Sequence, residues 1–181
     1  MEEFQAYEYA VSPQKTGKYQ LKRLLLMLAY VLYVVVLLAV GLIVKLIVPL
    51  LALIPISLWI IVFFTWRYVS VEHEYSIVSG EVTVSDIYGG RSRKDLVVFR
   101  LKECTMIAPA HDRQWQERAE LFGAEKVYSA LSSPDAPDAY FAAFENEKGA
   151  KCIVYFEATE RALRICRFYN PSATVMTQVS R

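Results

Sequence analysis

The stretch whose reading decides the fold is EYSIVSGEVTVSDIYGGRSRKDLVVF, Glu74–Phe99. Apolar residues recur at every second position through much of it, the period of a strand with one buried face. Traced back to Val71, the pattern puts Val71, His73, Tyr75 and Ile77 on one face of a first strand. Gly80 and Glu81 supply a tight turn, and VTVSDIY, Val82–Tyr88, reads as a second strand. Gly89-Gly90 permits another reversal. Lys94–Leu101 is then a third strand, with Val97, Phe99 and Leu101 opposite Leu96 and Val98.

The same alternation continues downstream. Cys104–Ala108 reads as a short fourth strand ending at Pro109, and Lys126–Leu131 as a fifth. Ala139–Glu145 and Ala150–Glu157 form a hairpin around Asn146–Gly149. His111–Gly123 is polar with scattered aromatics and reads as a loop or short helix; Ser132–Asp138 reads as a loop. The final element changes period. Thr159–Tyr169 places Ala162, Ile165, Cys166 and Tyr169 on one helical face, leaving Glu160, Arg161, Arg164 and Arg167 largely off it. Thr159 suits an N-cap, and Asn170-Pro171 a stop. About seven antiparallel strands followed by one helix is the order of a PH-like β-barrel or sandwich capped by its C-terminal helix. A generic α+β sheet with a docked helix is the competing fold.

Upstream, Leu24–Val44 and Leu46–Phe64 are apolar on every side, and Lys45 is the single charge from Leu24 to Phe64. A bilayer core of ~30 Å needs ~20 helical residues, so the two segments predict a transmembrane helical hairpin turning near Gly41–Pro49. A cleaved signal peptide would have a shorter apolar core and no second span directly after it. Lys15, Lys18, Lys22 and Arg23 precede the spans and Arg67 follows them. The positive-inside rule therefore places both termini in the cytoplasm of a multi-pass cell-membrane protein. The expected organisation is a basic cytoplasmic N-terminal arm at 1–23, a hairpin at 24–66 and a cytoplasmic domain at 68–181.

With 20 Lys+Arg against 19 Asp+Glu, the 181-residue chain has a net charge of +1. Global charge thus gives no reason to expect a nucleic acid partner. Cys104, Cys152 and Cys166 are odd in number and widely spaced, so they read as small buried hydrophobes in a reducing compartment. His111-Asp112 resembles a fragment of a metal phosphohydrolase signature whose other parts are missing. No nucleophile elbow, phosphate loop or dinucleotide fingerprint is present. The expectation is no catalytic residue, no cofactor and no metal.

KTGKYQLKRLLL (Lys15–Leu26), the Glu74–Phe99 stretch, and YFEATERALRICRFYNP (Tyr155–Pro171) carry a resemblance. They resemble a small uncharacterised family of clostridial-type bacterial membrane proteins, with two transmembrane helices and a bacterial PH-like domain. The resemblance implies fold and topology and transfers no catalytic residues. The chain is therefore expected to present a non-enzymatic interaction domain at the membrane, binding a protein partner or an anionic lipid surface. A structural or accessory subunit of a membrane complex is the alternative, and an enzyme is the third reading. Arg91, Arg93 and Lys94 lie on a turn expected at the membrane-facing end. With Arg67, Lys22 and Arg23 they are the candidate contacts for anionic lipid headgroups. A phosphoinositide pocket is not expected: in eukaryotic PH domains the headgroup loop joins strands one and two and is basic. Here the loop expected at that position is Ser79-Gly80-Glu81, short and acidic.

Overall fold

A computed structural model describes residues 6–12, 18–66 and 71–180 of the chain. They form two compact units: residues 14–71, and the N-terminal 13 residues together with residues 72–181.

The first unit is a pair of antiparallel helices, α1 (Lys18–Val44) and α2 (Ile47–Trp66). Both are long and apolar enough to cross a membrane, and only 6% of each apolar window is buried, unlike the core helix of a soluble protein. Lys45 turns the chain with a left-handed φ of 60°, and the Leu46 amide donates to the Gly41 carbonyl at 3.0 Å. The pair is held by polar contacts in an apolar surface. The Tyr33 hydroxyl donates to Ser57 Oγ at 2.9 Å, and Tyr30 shares a hydrogen bond with Thr65. Ser57 and Thr65 in turn donate to carbonyls of their own helix, so each of these four hydroxyls has a partner within the pair. Gly41 lets the Leu50 side chain approach so closely that an added Cβ would sit 2.8 Å from its Cδ1. α2 continues through Pro55.

The second unit has eight strands in two four-stranded sheets that do not close into a barrel. The first sheet runs β1 (Ala6–Val11), β2 (Val71–Val78), β3 (Glu81–Tyr88), β4 (Ser92–Arg100) in spatial order. The second contains β5 (Cys104–Pro109), β6 (Lys126–Ser129), β7 (Ala139–Glu145) and β8 (Lys151–Glu157), in the order β5-β7-β8-β6. β6 runs parallel to β8, so this sheet is mixed where an all-antiparallel one was expected. Helix α3 (Arg113–Phe122) follows β5, and α4 (Glu160–Tyr169) follows β8.

The N-terminal arm holds a strand that the sequence reading did not include. Residues 6–11 are the edge strand of the first sheet, paired antiparallel with β2 from Ala6↔Val78 to Val11↔His73. AYEYAV alternates as a strand should, but its partner lies beyond both apolar helices, so nothing local signals the pairing. Tyr9 stacks between Tyr7 and Tyr75 at centroid distances of 5.2 and 4.7 Å. Its hydroxyl donates to the Glu157 carbonyl at 2.8 Å. Burial raises the Tyr9 pKa well above the ordinary phenol value and keeps that donor protonated. One consequence concerns the loop count. Ser79-Gly80 joins strands two and three, while the connection between strands one and two is the whole segment carrying the helices.

The core lies between the two sheets and α4. Tyr75, Val84, Phe99, Ile107, Tyr140 and Val154 meet Leu163, Ile165 and Cys166 there. Leu163 and Ile165 are at most 1% exposed, each contributing roughly 1.5–3 kcal/mol by leaving water. Thr159 caps α4 by accepting from the Ala162 amide at 3.1 Å. Asn170 ends the helix and donates to the Leu101 and Cys104 carbonyls at 2.9 and 2.8 Å. The chain after it covers the outer edge of β5, through Ile107 N–H to Ala173 O at 2.8 Å and Val175 N–H to Ile107 O at 2.9 Å. β7 is buried on both faces, because α3 packs on the side opposite the main core. Trp115, Ala119 and Phe122 of α3 pack there with Phe141 and Ile153.

Strict alternation fails once in the first sheet. The β3–β4 register slips between Val84↔Val97 and Ser85↔Asp95, leaving Leu96 as a bulge. Leu96 and Val97 consequently both pack on the core. The slip also sets Lys94, rather than Asp95, opposite Asp86, avoiding two carboxylates face to face.

Two glycines should separate backbone strain from packing. Gly80 has φ 83°, and an added Cβ would lie 2.7 Å from the Tyr169 ring; Gly90 has φ 68° with open space around it. Gly90→Ala should cost about 1 kcal/mol of left-handed strain. Gly80→Ala should cost about 2–3 kcal/mol, since a ring packed against the turn must also move. Denaturant midpoints of the two variants check the difference.

Candidate functional site

One end of the first sheet and a groove on the outer face of the second both carry polar chemistry.

The sheet end is built by the β3–β4 turn. Gly89 and Gly90 take left-handed φ values of 57° and 68°, and the Arg91 amide donates to the Tyr88 carbonyl at 3.2 Å. The turn sits at the end of the sheet where β1 finishes and β2 begins. His73 Nδ1 and Asp86 Oδ1 are 2.8 Å apart across β2 and β3, and the Tyr88 hydroxyl donates to the same carboxylate at 3.3 Å. Ser12 reaches Glu72 at 3.2 Å.

Arg91, Arg93 and Lys94 are all exposed at this end, but they are not a bare basic patch. Arg93 faces Glu74 at 3.2 Å and Asp95 at 3.6 Å. Its Nε also donates to Ser85 Oγ at 3.2 Å, and that hydroxyl donates to Asp95 at 2.8 Å. Glu74 is only 18% exposed, so its pairing with Arg93 is more than a loose surface contact. Lys94 stands across from Asp86. Sequence proximity brought the three cations together; the fold adds the carboxylates of Glu72, Glu74, Asp86 and Asp95. Of the other candidate contacts, Lys22 and Arg23 belong to the helical unit. The Arg23 guanidinium lies over the Trp66 ring at 5.3 Å, and its Nε has no hydrogen-bond partner among the described residues. Arg67 lies outside the described residues.

The second region was not foreseen. A groove of about 870 Å³ opens between α3 and the outer face of β8 and β6. Ile153, Tyr155, Val127 and Ser129 form its floor, Gln116, Ala119 and Glu120 one wall, and Leu131–Pro134 the other. α3 is fixed by Asp112, which accepts from the Gln114 amide at 3.0 Å, and by Gly123, which ends it in a left-handed conformation with φ 67°. Both signals stand in the sequence at the right spacing, but the groove depends on α3 packing on the second sheet, which spacing does not reveal.

The His111-Asp112 pair is spent on structure. Asp112 caps α3, and His111 Nε2 lies 2.7 Å from the Ala136 carbonyl. Among the described residues no cluster of three His, Cys, Asp or Glu is placed to hold a metal ion. The three cysteines are free and buried. Burial pushes the Cys166 thiol up to about 12 and raises that of Cys104 further. A thiol with a raised pKa stays protonated until the pH approaches it, and only the thiolate attacks. In the folded protein at about pH 8, Cys104 and Cys166 should therefore fail to react with a disulfide reagent, whereas denaturant should expose all three thiols; a colorimetric thiol count reads the difference.

The comparisons agree with this architecture. No curated protein and no solved structure matches the chain. A family profile described as "Bacterial PH-like domain (DUF6106)" matches residues 3–176. That match begins before β1, spans both helices and ends beyond α4, so one family pattern covers strand, hairpin and domain together. The chain belongs to this family of bacterial PH-like domain proteins.

Proposed function

We propose that the chain is a non-enzymatic, multi-pass membrane protein that holds its PH-like domain at the cytoplasmic face of the cell membrane, where the domain engages a protein partner. The observation that supports this reading is the pairing of β1 with β2. One strand leads into the apolar helices and the other leads out. Six residues separate β1 from α1 and four separate α2 from β2. At ~3.4 Å per residue such connectors reach ~20 Å at most, so a domain tied at both ends cannot travel far from the bilayer. With both helices inserted, the Lys45 turn lies across the membrane from the domain, and the basic flanks fit a cytoplasmic location for the latter.

Topology is tested with two cysteine variants, the native cysteines being buried. In inverted membrane vesicles a membrane-impermeant maleimide should label Glu147→Cys, in the β7–β8 turn, but not Leu46→Cys. In right-side-out vesicles the pattern should reverse. Labelling of both from the same side would show that the helices do not span.

A second reading has its own observation: the Gly89–Lys94 turn lies at the sheet end that carries both connections. Arg91, Arg93 and Lys94 are all exposed there and would meet an anionic leaflet, at ~1 kcal/mol per basic residue at most. Amide exchange at residues 89–94 should then be slower in phosphatidylglycerol nanodiscs than in phosphatidylcholine ones. Replacing Arg91, Arg93 and Lys94 by serine should erase the difference. Equal exchange in the two lipids for the unsubstituted chain would eliminate the lipid contact.

A further inference from the structure

The groove between α3 and β6 has the features of a binding surface. The second sheet has two edges, and they are treated differently. β5 is covered by the chain after Asn170, through Ile107 and the segment Ala173–Val175. β6 is the other edge: among the described residues its strand partner is β8, and the sheet order ends with it. An edge strand presents backbone N–H and C=O groups in a row that can template another strand.

The groove runs alongside this edge. Val127 and Ser129 of β6 line it, and Val127 is 62% exposed although it is a β-branched residue in a strand. Ile153, Tyr155, Leu131 and Pro134 extend the apolar surface. Two polar groups have no counterpart. The Glu120 carboxylate is the one formal charge among the lining side chains, taking His111 as neutral, and the described residues give it no ion-pair or hydrogen-bond partner. The Ser132 hydroxyl, on a residue 9% exposed, is buried without a hydrogen-bond partner among the described residues. Buried hydroxyls are nearly always satisfied.

We infer that β6 and this groove bind an extended peptide by strand addition, with a lysine or arginine of the peptide directed to Glu120 and aliphatic side chains on the Val127–Ile153 floor. In such an arrangement the backbone bonds to the edge strand supply affinity, and alternate side chains entering the groove supply selectivity. The negative wall selects the charge of the occupant. The inference deepens the reading of a membrane-held interaction domain and rests on it for the source of the peptide. Cytoplasmic segments next to membrane spans carry an excess of Lys and Arg, so the tail of a neighbouring membrane protein has the required chemistry.

The test uses the full chain in nanodiscs and a fluorescein-labelled decapeptide in which valine and lysine take turns at every second position with threonine between them, so that both side chains share the face that enters the groove. A second peptide of the same sequence is N-methylated at every internal residue, which removes the backbone donors on both edges while keeping charge and side chains. Fluorescence anisotropy should show saturable binding of the first peptide, with the N-methylated one at least about tenfold weaker. Glu120→Lys, an exposed position on α3, should weaken binding by about tenfold or more while leaving the unfolding midpoint in place. Val127→Gln, a neutral change at an exposed position, should weaken it by removing apolar floor without altering the fold. Equal affinity for the two peptides overturns strand addition. Unchanged affinity in both variants places any binding elsewhere and overturns the site. No binding up to about 1 mM overturns the proposal as a whole. None of these outcomes depends on which side of the membrane the domain occupies, so the topology reading and this one can fail separately.

Discussion

The pairing of β1 with β2 is the constraint on which the rest depends. Without it the N-terminal residues would be a tail, the first sheet would lose its outer strand, and the domain would hang from the helices by a single connector. With it, the helical hairpin becomes an insertion between two adjacent strands of one sheet. The pairing is not held by backbone bonds alone. The Tyr7–Tyr9–Tyr75 stack, the Tyr9 bond to the Glu157 carbonyl and the Arg161 guanidinium 4.8 Å above the Tyr7 ring tie β1 to both sheets and to α4. Aromatic pairs of this kind add roughly 0.5–1.5 kcal/mol each beyond the area they bury.

The chain wrote some of this plainly. The apolar helices declare themselves by composition. β2, β3 and β4 follow from period-two alternation with glycines at the reversals, and α4 from its cap and stripe. These are local signals, decided within ten or so residues. What could not be read is non-local. β1 finds its partner only after the helices have been passed over. β7, rich in alanine and phenylalanine, looks like an ordinary half-buried strand until α3 covers its second face. β6 shows no sign in its four residues of running parallel rather than antiparallel.

The candidate site divides along the same line. Arg91, Arg93 and Lys94 are neighbours in the chain, and a basic turn was legible. Glu74 and Asp95 reach Arg93 because of an antiparallel register and a one-residue bulge, neither of which leaves a mark in composition. The result is a mixed-charge sheet end rather than a basic one. The groove beside β6 was invisible for the same reason: its walls come from α3, β6, β8 and the loop before β7, elements that only packing assembles.

The distance in sequence between the partners of β1 bears on how the protein is made. Tyr9 bonds to a residue 148 positions away, and the Tyr7 hydroxyl accepts from Thr159, 152 positions away. Synthesis proceeds from the N-terminus, so β1 leaves the ribosome before its partner strand and waits for it through both helices. Both apolar helices must emerge before β2 exists to receive it, and α4 must follow before Tyr7 is anchored. The domain therefore cannot be completed ahead of the hairpin, and until β2 and α4 have been made β1 has no partner and its open edge is available to other strands.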